Sequence, residues 1–397
     1  MLNTSPRKIE EVLTRRVEQV LPSKKELKGL MQKRKIKLYL GIDPTSPNIH
    51  LGNAVPLRKL KEFQDLGHEV IFLIGTFTAQ LGDPSKRDKK RKPLTLVQIK
   101  KNILDYKKQV SKILDISKIK IKYNHDWLSK LKFGDLIKLA SHFTTSRLLE
   151  RDMFQERLKK GKEVWVSELL YPLMQGYDSV AMNIDLEVGG TDQTFNMLVG
   201  RKLQKIYNNK KKFILTVPLL LGLDGRKMSK SYGNVVNLTD KPDEMYGKIM
   251  SLKDKLIIHY FELCSEIPLS KIKRMEKELK SKKVNPRDLK AKLAKEIVRI
   301  YYTKDVAERA EQEFNRVFRE KKIPSKINKI KIKKERFNIL DLLVETKLVS
   351  SKSEAKRLIL QKAVKIDGVL KKDWQEVVKI SKGSVIKIGR RRFIKII

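Results

Sequence analysis

The chain has 397 residues, 40% of them hydrophobic and 34% charged, and carries a formal net charge of +43. That length predicts two or three folded units, and that composition a globular, water-soluble protein. Such a charge fits a polyanionic partner, nucleic acid foremost, or a lysine-rich proteome, and the total alone does not separate the two. The single cysteine, Cys264, excludes an internal disulfide and a cysteine zinc site.

The opening stretch MLNTSPRKIEEVLTRRVEQVL has no apolar core of the signal-peptide type. No window approaches the ~18 consecutive apolar residues of a membrane span. A cytosolic protein is expected. The runs KLYLGID (37–43), EVIFLIG (69–75), IKIKY (119–123), DLEVGG (185–190) and FILTVP (213–218) read as strands. Amphipathic helical patterns separate them, which predicts an α/β fold with a mostly parallel sheet and ligands at the carboxyl ends of its strands. Residues from about 125 to 180 read as an inserted helical layer, and about 236–320 as a helical domain closing a first domain of residues 1–235. The basic stretch KKIPSKINKIKIKKER (321–336) reads as a linker. The last 61 residues, 337–397, read as a small α+β unit.

Two stretches carry chemistry. In PTSPNIHLGN (44–53), Pro44 and Pro47 hold the chain extended, and a helix is expected to begin near residues 49–51. Free N–H groups at a helix start attract anions, Gly52 permits close approach, and His50 and Asn53 share a face. About 175 residues later, LGLDGRKMSKSYGN supplies Lys227 and Lys230 in a glycine- and serine-rich loop able to close over a polyphosphate.

HLGN and KMSKS together resemble the two signatures of the class I aminoacyl-tRNA synthetases. Leucine replaces isoleucine, and Asn53 replaces the last histidine, in the first of them. LYLGIDPT, YPLMQGYDS and GGTDQTFN narrow the resemblance to the bacterial tyrosyl-tRNA synthetases, across essentially the whole chain. The resemblance implies a Rossmann-like catalytic sheet that uses ATP, with its Mg2+, to activate L-tyrosine before transfer to tRNA(Tyr). By it, Tyr39 and Asp178 hold the phenol hydroxyl. Asp83, Tyr171 and Gln175 bind the α-ammonium, and Gln193 lies near the carboxylate. Asp192 accepts from the ATP ribose, and Asp43 positions both substrates. Thr45, His50 and Asn53 grip the phosphates together with Lys227 and Lys230, and Gly52, Met228, Ser229 and Ser231 complete the ATP site. Arg87 and Arg91, in the basic loop SKRDKKRK, match positions that help pyrophosphate leave. The helical layer, with SHFTTSRLLERDMFQERL, matches the family's dimer region, so a homodimer is expected.

Independently of the resemblance, an acid and a phenol at a pocket floor satisfy a substrate hydroxyl, and a substrate lacking it leaves buried polar groups unpaired. An indole N–H, the need of the tryptophanyl enzymes, requires a single acceptor. The five histidines show no metal-ligand spacing, and no protein metal site is expected. In the C-terminal unit, an apolar helix from Phe337 to Val344 precedes a second helix starting at Ser353 and Glu354 and exposing Lys356 and Arg357. A strand and turn AVKIDG follow, then the basic strand pair GSVIKIGRRRFIKII with Arg390, Arg391 and Arg392. This unit resembles the S-four-type RNA-binding domain, which implies phosphate contacts from these residues. Two rivals remain: a non-catalytic RNA-binding protein on a synthetase body, and a nucleotidyltransferase that uses no tRNA. Intact His50, Lys227, Lys230, Tyr39 and Asp178 oppose the first. The basic C-terminal unit and the KMSKS loop oppose the second.

Overall fold

The computed structural model describes residues 2–84, 94–228, 232–320, 327–332, 334–389 and 392–397. The chain divides into two compact units, Met1–Ala307 and Glu308–Ile397. The division expected at 235/236 falls inside the first unit.

The first unit is built on six strands: β1 (Gln19–Leu21), β2 (Lys37–Ile42), β3 (Glu69–Ile74), β4 (Lys120–Tyr123), β5 (Leu186–Gly190) and β6 (Phe213–Val217). Their order is β1-β6-β5-β2-β3-β4. All neighbours from β6 to β4 are parallel, and β1 pairs antiparallel with β6 at the edge. The five expected strands are therefore present. The short edge strand β1 was not foreseen, because QVL is too brief to show a period. β3 and β6 are buried almost throughout, as strands covered on both faces must be. The chain runs outward through β2, β3 and β4, then returns to β5 on the other side of β2. That reversal makes a crevice between β2 and β5 at their carboxyl ends, the usual ligand position in such sheets.

The long crossover from β4 to β5 is the expected helical layer, ending in the helix Val166–Met182. That helix terminates at Asn183, whose φ of 47° is the left-handed cap asparagine tolerates. It crosses the helix Thr194–Asn208 closely at two glycines. A Cβ on Gly176 would lie 2.9 Å from both Val199 and Leu203, and one on Gly200 3.2 Å from the Gly176 Cα. The helix Leu51–Asp65 begins as expected, with His50 as its extended N-cap residue.

The second unit holds β7 (Asn328–Ile330), β8 (Arg336–Asn338), β9 (Val364–Ile366), β10 (Val369–Leu370), β11 (Val377–Lys379), β12 (Val385–Ile388) and β13 (Arg392–Ile396). One sheet runs β10-β9-β12-β13-β7, and β11 pairs with β8. Two helices, Ile339–Glu345 and Lys352–Leu360, bury Ile339, Leu342, Leu343, Ala355 and Ile359 in a core shared with Val364, Ile386 and Ile388.

Three expectations are corrected here. Residues 321–336 are not all linker: β7 lies parallel to β13, and Ile330 and Ile332 pack on the core. The alternating isoleucines of SKINKIKIKK were the missed strand signal; residues 321–326 and 333 lie outside the described set. Phe337 belongs to β8, not to the helix, which starts at Ile339. The second helix is capped by Ser351, whose hydroxyl accepts from the Glu354 N–H, not begun by Ser353.

Candidate active site

A cleft of about 620 Å³ opens at the carboxyl ends of β2, β3, β5 and β6, beside the start of the Leu51–Asp65 helix. Every described residue assigned to tyrosine or ATP lines it: Tyr39, Asp43, Thr45, His50, Gly52, Asn53, Asp83, Tyr171, Gln175, Asp178, Asp192, Gln193, Lys227 and Met228. Arg87, Arg91, Ser229, Lys230 and Ser231 lie outside the described residues.

At the floor, Tyr39 comes from the centre of β2 and Asp178 from the helix Val166–Met182. Asp178 accepts from Trp127 Nε1 at 2.8 Å and from Asn124 Nδ2 at 3.3 Å. Burial pushes its carboxyl well above the usual range, and those two donors oppose the shift. The Tyr39 hydroxyl lies 3.1 Å from Ser179 Oγ, and burial, then the Glu187 and Asp178 charges, raise its pKa well above the phenolic value. Both groups stay able to serve a neutral hydroxyl: one as phenol, one as an acceptor already flanked by donors only.

Above the floor, Asp43 directly follows β2. It accepts from Thr78 Oγ1 at 2.6 Å and from the Tyr171 hydroxyl at 2.9 Å. A side chain at Gly75 would meet Asp43 Oδ1 at 2.0 Å and Thr78 Oγ1 at 2.4 Å, so this carboxylate needs the glycine. Burial and the Asp43 charge push the Tyr171 phenol well up. Tyr171 is thus anchored on Asp43. A run of polar side chains forms the adjoining wall. Gln175 Nε2 donates to Glu187 Oε1 at 3.0 Å. Asn196 Nδ2 donates to Gln175 Oε1 at 2.9 Å and to Gln193 Oε1 at 3.0 Å, and Gln193 Nε2 donates to Asp83 Oδ2 at 2.6 Å. Each amide is oriented by its neighbours.

At the mouth, the Asn53 side-chain oxygen accepts from the His50 N–H at 3.2 Å, which leaves its amide nitrogen as the donor available to an anion. Gly52 lies under the His50 ring and Met228: a Cβ there would sit 3.0 Å from Nδ1 and 3.3 Å from Sδ. The first stretch is tied by backbone to the residues just past the second. Leu51 N–H donates to Val236 O and Leu238 N–H to Ile49 O, both at 2.9 Å. Asn234 Nδ2 donates to Lys227 O at 3.0 Å and to Asp224 Oδ1 at 2.8 Å, anchoring the loop that carries Lys227.

The sequence reading missed Thr78, Asn124, Trp127, Ser179, Glu187, Asn196, Lys212 and Asn234. Two signals were available. Asn124 and Trp127 follow β4 directly, at the same sheet end as the motifs. Glu187 and Lys212 are charges set in or beside otherwise apolar strands.

In the second unit, Lys356 and Arg357 are exposed on one helix. Lys356 Nζ sits 3.8 Å from the Trp374 ring centroid. Arg392 Nη1 donates to Leu348 O at 2.9 Å and to Glu354 Oε1 at 3.0 Å, so its charge is partly answered within the unit. Arg390 and Arg391 lie outside the described residues.

The family described as tRNA synthetases class I (W and Y) matches residues 31–319, and a tyrosine–tRNA ligase SYY-like C-terminal domain matches residues 318–395. The chain is 45% identical to the tyrosine–tRNA ligase of Thermotoga maritima over 393 residues, covering 99% of this chain and 98% of that one. It is likewise 45% identical to that of Francisella tularensis, covering 98% of each. In structure it resembles the tyrosyl-tRNA synthetase of Archaeoglobus fulgidus complexed with L-tyrosine, with a TM-score of 0.62 and 25% identity over 77% of this chain and 100% of that one.

Proposed function

We propose roles for the cleft's residues from the premise that this chain belongs to the bacterial tyrosine–tRNA ligases of the class I aminoacyl-tRNA synthetase family. It joins L-tyrosine to tRNA at the expense of ATP. The tyrosine carboxylate attacks the α-phosphorus and expels pyrophosphate; a terminal ribose hydroxyl of tRNA then attacks the adenylate carbonyl and releases AMP.

One observation supports the assignment of the floor: the buried pair Tyr39 and Asp178, with Asp178 already bonded by two donors, suits a group that both donates and accepts. A phenol does both, and an indole N–H only donates. Asp83, Gln175 and Gln193 bind the amino and carboxylate groups above the ring, with Asp43 and Tyr171 as the fixed corner between amino acid and nucleotide. Asp192 takes the ribose. Thr45, His50, Asn53, Lys227 and Lys230 hold the phosphates and stabilise charge as it moves onto the leaving pyrophosphate, and Arg87 and Arg91 assist its release. Magnesium arrives on ATP, liganded by phosphate and water oxygens.

The helices of 236–320 and the residues Lys356, Arg357, Arg390, Arg391 and Arg392 contact tRNA(Tyr). The protein is a cytoplasmic homodimer; exposed Phe133, Ile137, Trp165 and Val166 in the helical layer support a self-complementary face. Tyrosine-dependent ATP–pyrophosphate exchange, followed by charging of tRNA(Tyr), tests the activity, and exchange driven by tryptophan alone refutes the floor assignment. Light scattering tests the dimer: a monomer at working concentration removes it.

A further inference from the structure

We propose that Lys212 is a positioning residue for substrate selection: acting through Ser179, it fixes the Tyr39 hydroxyl as a donor aimed at the substrate's phenol oxygen. This rests on the reading of Tyr39 and Asp178 as the groups that receive the phenol.

Lys212 immediately precedes β6, and none of its side chain is exposed. Its ammonium has three protons and three acceptors: Ser179 Oγ at 2.8 Å, Met197 O at 3.1 Å, and the Glu187 carboxylate. It reaches them through the notch at the crossing of the two helices. A Cβ on Gly200 would lie 2.5 Å from Lys212 Nζ and 3.0 Å from Ser179 Oγ. Burying an ammonium is costly, and packing alone is better served by an apolar residue. What a buried ammonium supplies is direction, because it donates and never accepts.

Direction then propagates. Ser179 Oγ must accept from Lys212. Its own single proton is left for its other neighbour, the Tyr39 oxygen at 3.1 Å; among the described residues Ser179 Oγ bonds no other group. Tyr39 and Glu187 are register partners on β2 and β5, so Glu187 is the competing acceptor for the Tyr39 proton. Gln175 Nε2 engages one Glu187 oxygen at 3.0 Å, and Lys212 engages the other. Both Glu187 oxygens are thus already drawn on, and a bound substrate phenol competes with that engaged carboxylate for the Tyr39 proton. A bound phenol accepts from Tyr39 and donates to Asp178, closing a chain from Lys212 through Ser179, Tyr39 and the substrate to the carboxylate. Phenylalanine leaves a Tyr39 proton and an Asp178 lone pair both unanswered. Without the lysine, the two hydroxyls lose their fixed sense.

The test uses the full-length protein, comparing tyrosine- and phenylalanine-driven ATP–pyrophosphate exchange in Ser179→Ala and in the neutral double variant Lys212→Met/Glu187→Gln. The double variant avoids the stranded Glu187 charge that would endanger folding in Lys212→Met alone. Ser179→Ala is expected to lower kcat/KM for tyrosine by about five- to a hundredfold, through KM for tyrosine, with phenylalanine turnover and KM for ATP unchanged. The double variant is expected to narrow tyrosine-over-phenylalanine selection in the same sense. Equal loss for both amino acids, or selection as sharp as in the unsubstituted protein, overturns the inference. Failure of the unsubstituted protein to activate tyrosine instead overturns the reading on which it rests, and that is seen before any variant is made.

Discussion

Replacing Asp178 with asparagine separates binding from stability in this protein. The carboxylate accepts from Trp127 at 2.8 Å and from Asn124 at 3.3 Å. Asn124 cannot turn to accommodate an amide, because its own oxygen accepts from the Phe77 N–H at 2.8 Å and its nitrogen also donates to Thr78 Oγ1 at 3.0 Å. The new NH2 must therefore face one of two donors, and stranding a donor costs about 1–3 kcal/mol. Against that, burial holds the carboxyl pKa well above its ordinary value, so an ionised Asp178 opposes folding and asparagine relieves that penalty. The two effects have opposite sign, and the net stability change is expected to stay within about 2 kcal/mol. Substrate binding has no such offset. The phenol loses a buried hydrogen-bond acceptor, worth about 1–3 kcal/mol, or roughly 5- to 150-fold in kcat/KM for tyrosine. Urea denaturation gives the first number, and exchange kinetics with varied tyrosine and ATP give the second. A variant with the parent's kcat/KM for tyrosine would refute the assignment of the pocket floor. One equally impaired toward ATP would mean that the cleft as a whole had shifted.

His50→Ala should lower kcat for adenylate formation by about 2–4 kcal/mol in transition-state stabilisation, with tyrosine affinity retained; equilibrium binding beside single-turnover rates checks it. His68 is buried, its Nδ1 faces the Ile36 N–H at 3.4 Å, and burial, then Lys35, lower its pKa from 6.5 to about 4. The unfolded ring takes a proton near 6.5 and the folded one only near 4, so the unfolded chain binds more protons in between. Stability is complete above 6.5 and falls as pH drops toward 4. From pH 7 to 4.5 this residue should account for about 2–3 kcal/mol, which His68→Gln should abolish in paired urea titrations. Truncation after Glu320, ahead of β7, should leave pyrophosphate exchange near normal while charging fails through KM for tRNA; the salt slope of tRNA binding should flatten by roughly 0.7–0.9 per lost phosphate contact. Parallel loss of both activities would make the second unit a folding requirement.

The sheet was legible because EVIFLI and FILTV are almost wholly apolar runs, which read as strands covered on both faces without any knowledge of their neighbours. HLGN and KMSKS were legible because few residue types place donors at a helix start or cations on a glycine-rich loop. β1 was not legible: three residues are too few to show a period, and the strand exists through its pairing with β6; β7, paired with β13, showed only in the isoleucines of a stretch otherwise basic enough to read as a linker. The helix caps erred by two residues because Ser351 and Ser353 look alike until one hydroxyl meets the Glu354 N–H.

Residue types and order along the chain, then, named the candidate groups for the chemistry, since an imidazole or a carboxylate has its reactivity wherever it sits. Folding alone settled which groups meet. The strand order places Tyr39 beside Glu187, 148 positions later, and two glycines at a helix crossing admit the ammonium of Lys212 to the hydroxyl of Ser179. A pattern of period 2 or 3.6 reports only which face a residue occupies. It holds nothing about what packs against that face, and the direction of every hydrogen bond beneath the cleft depends on that.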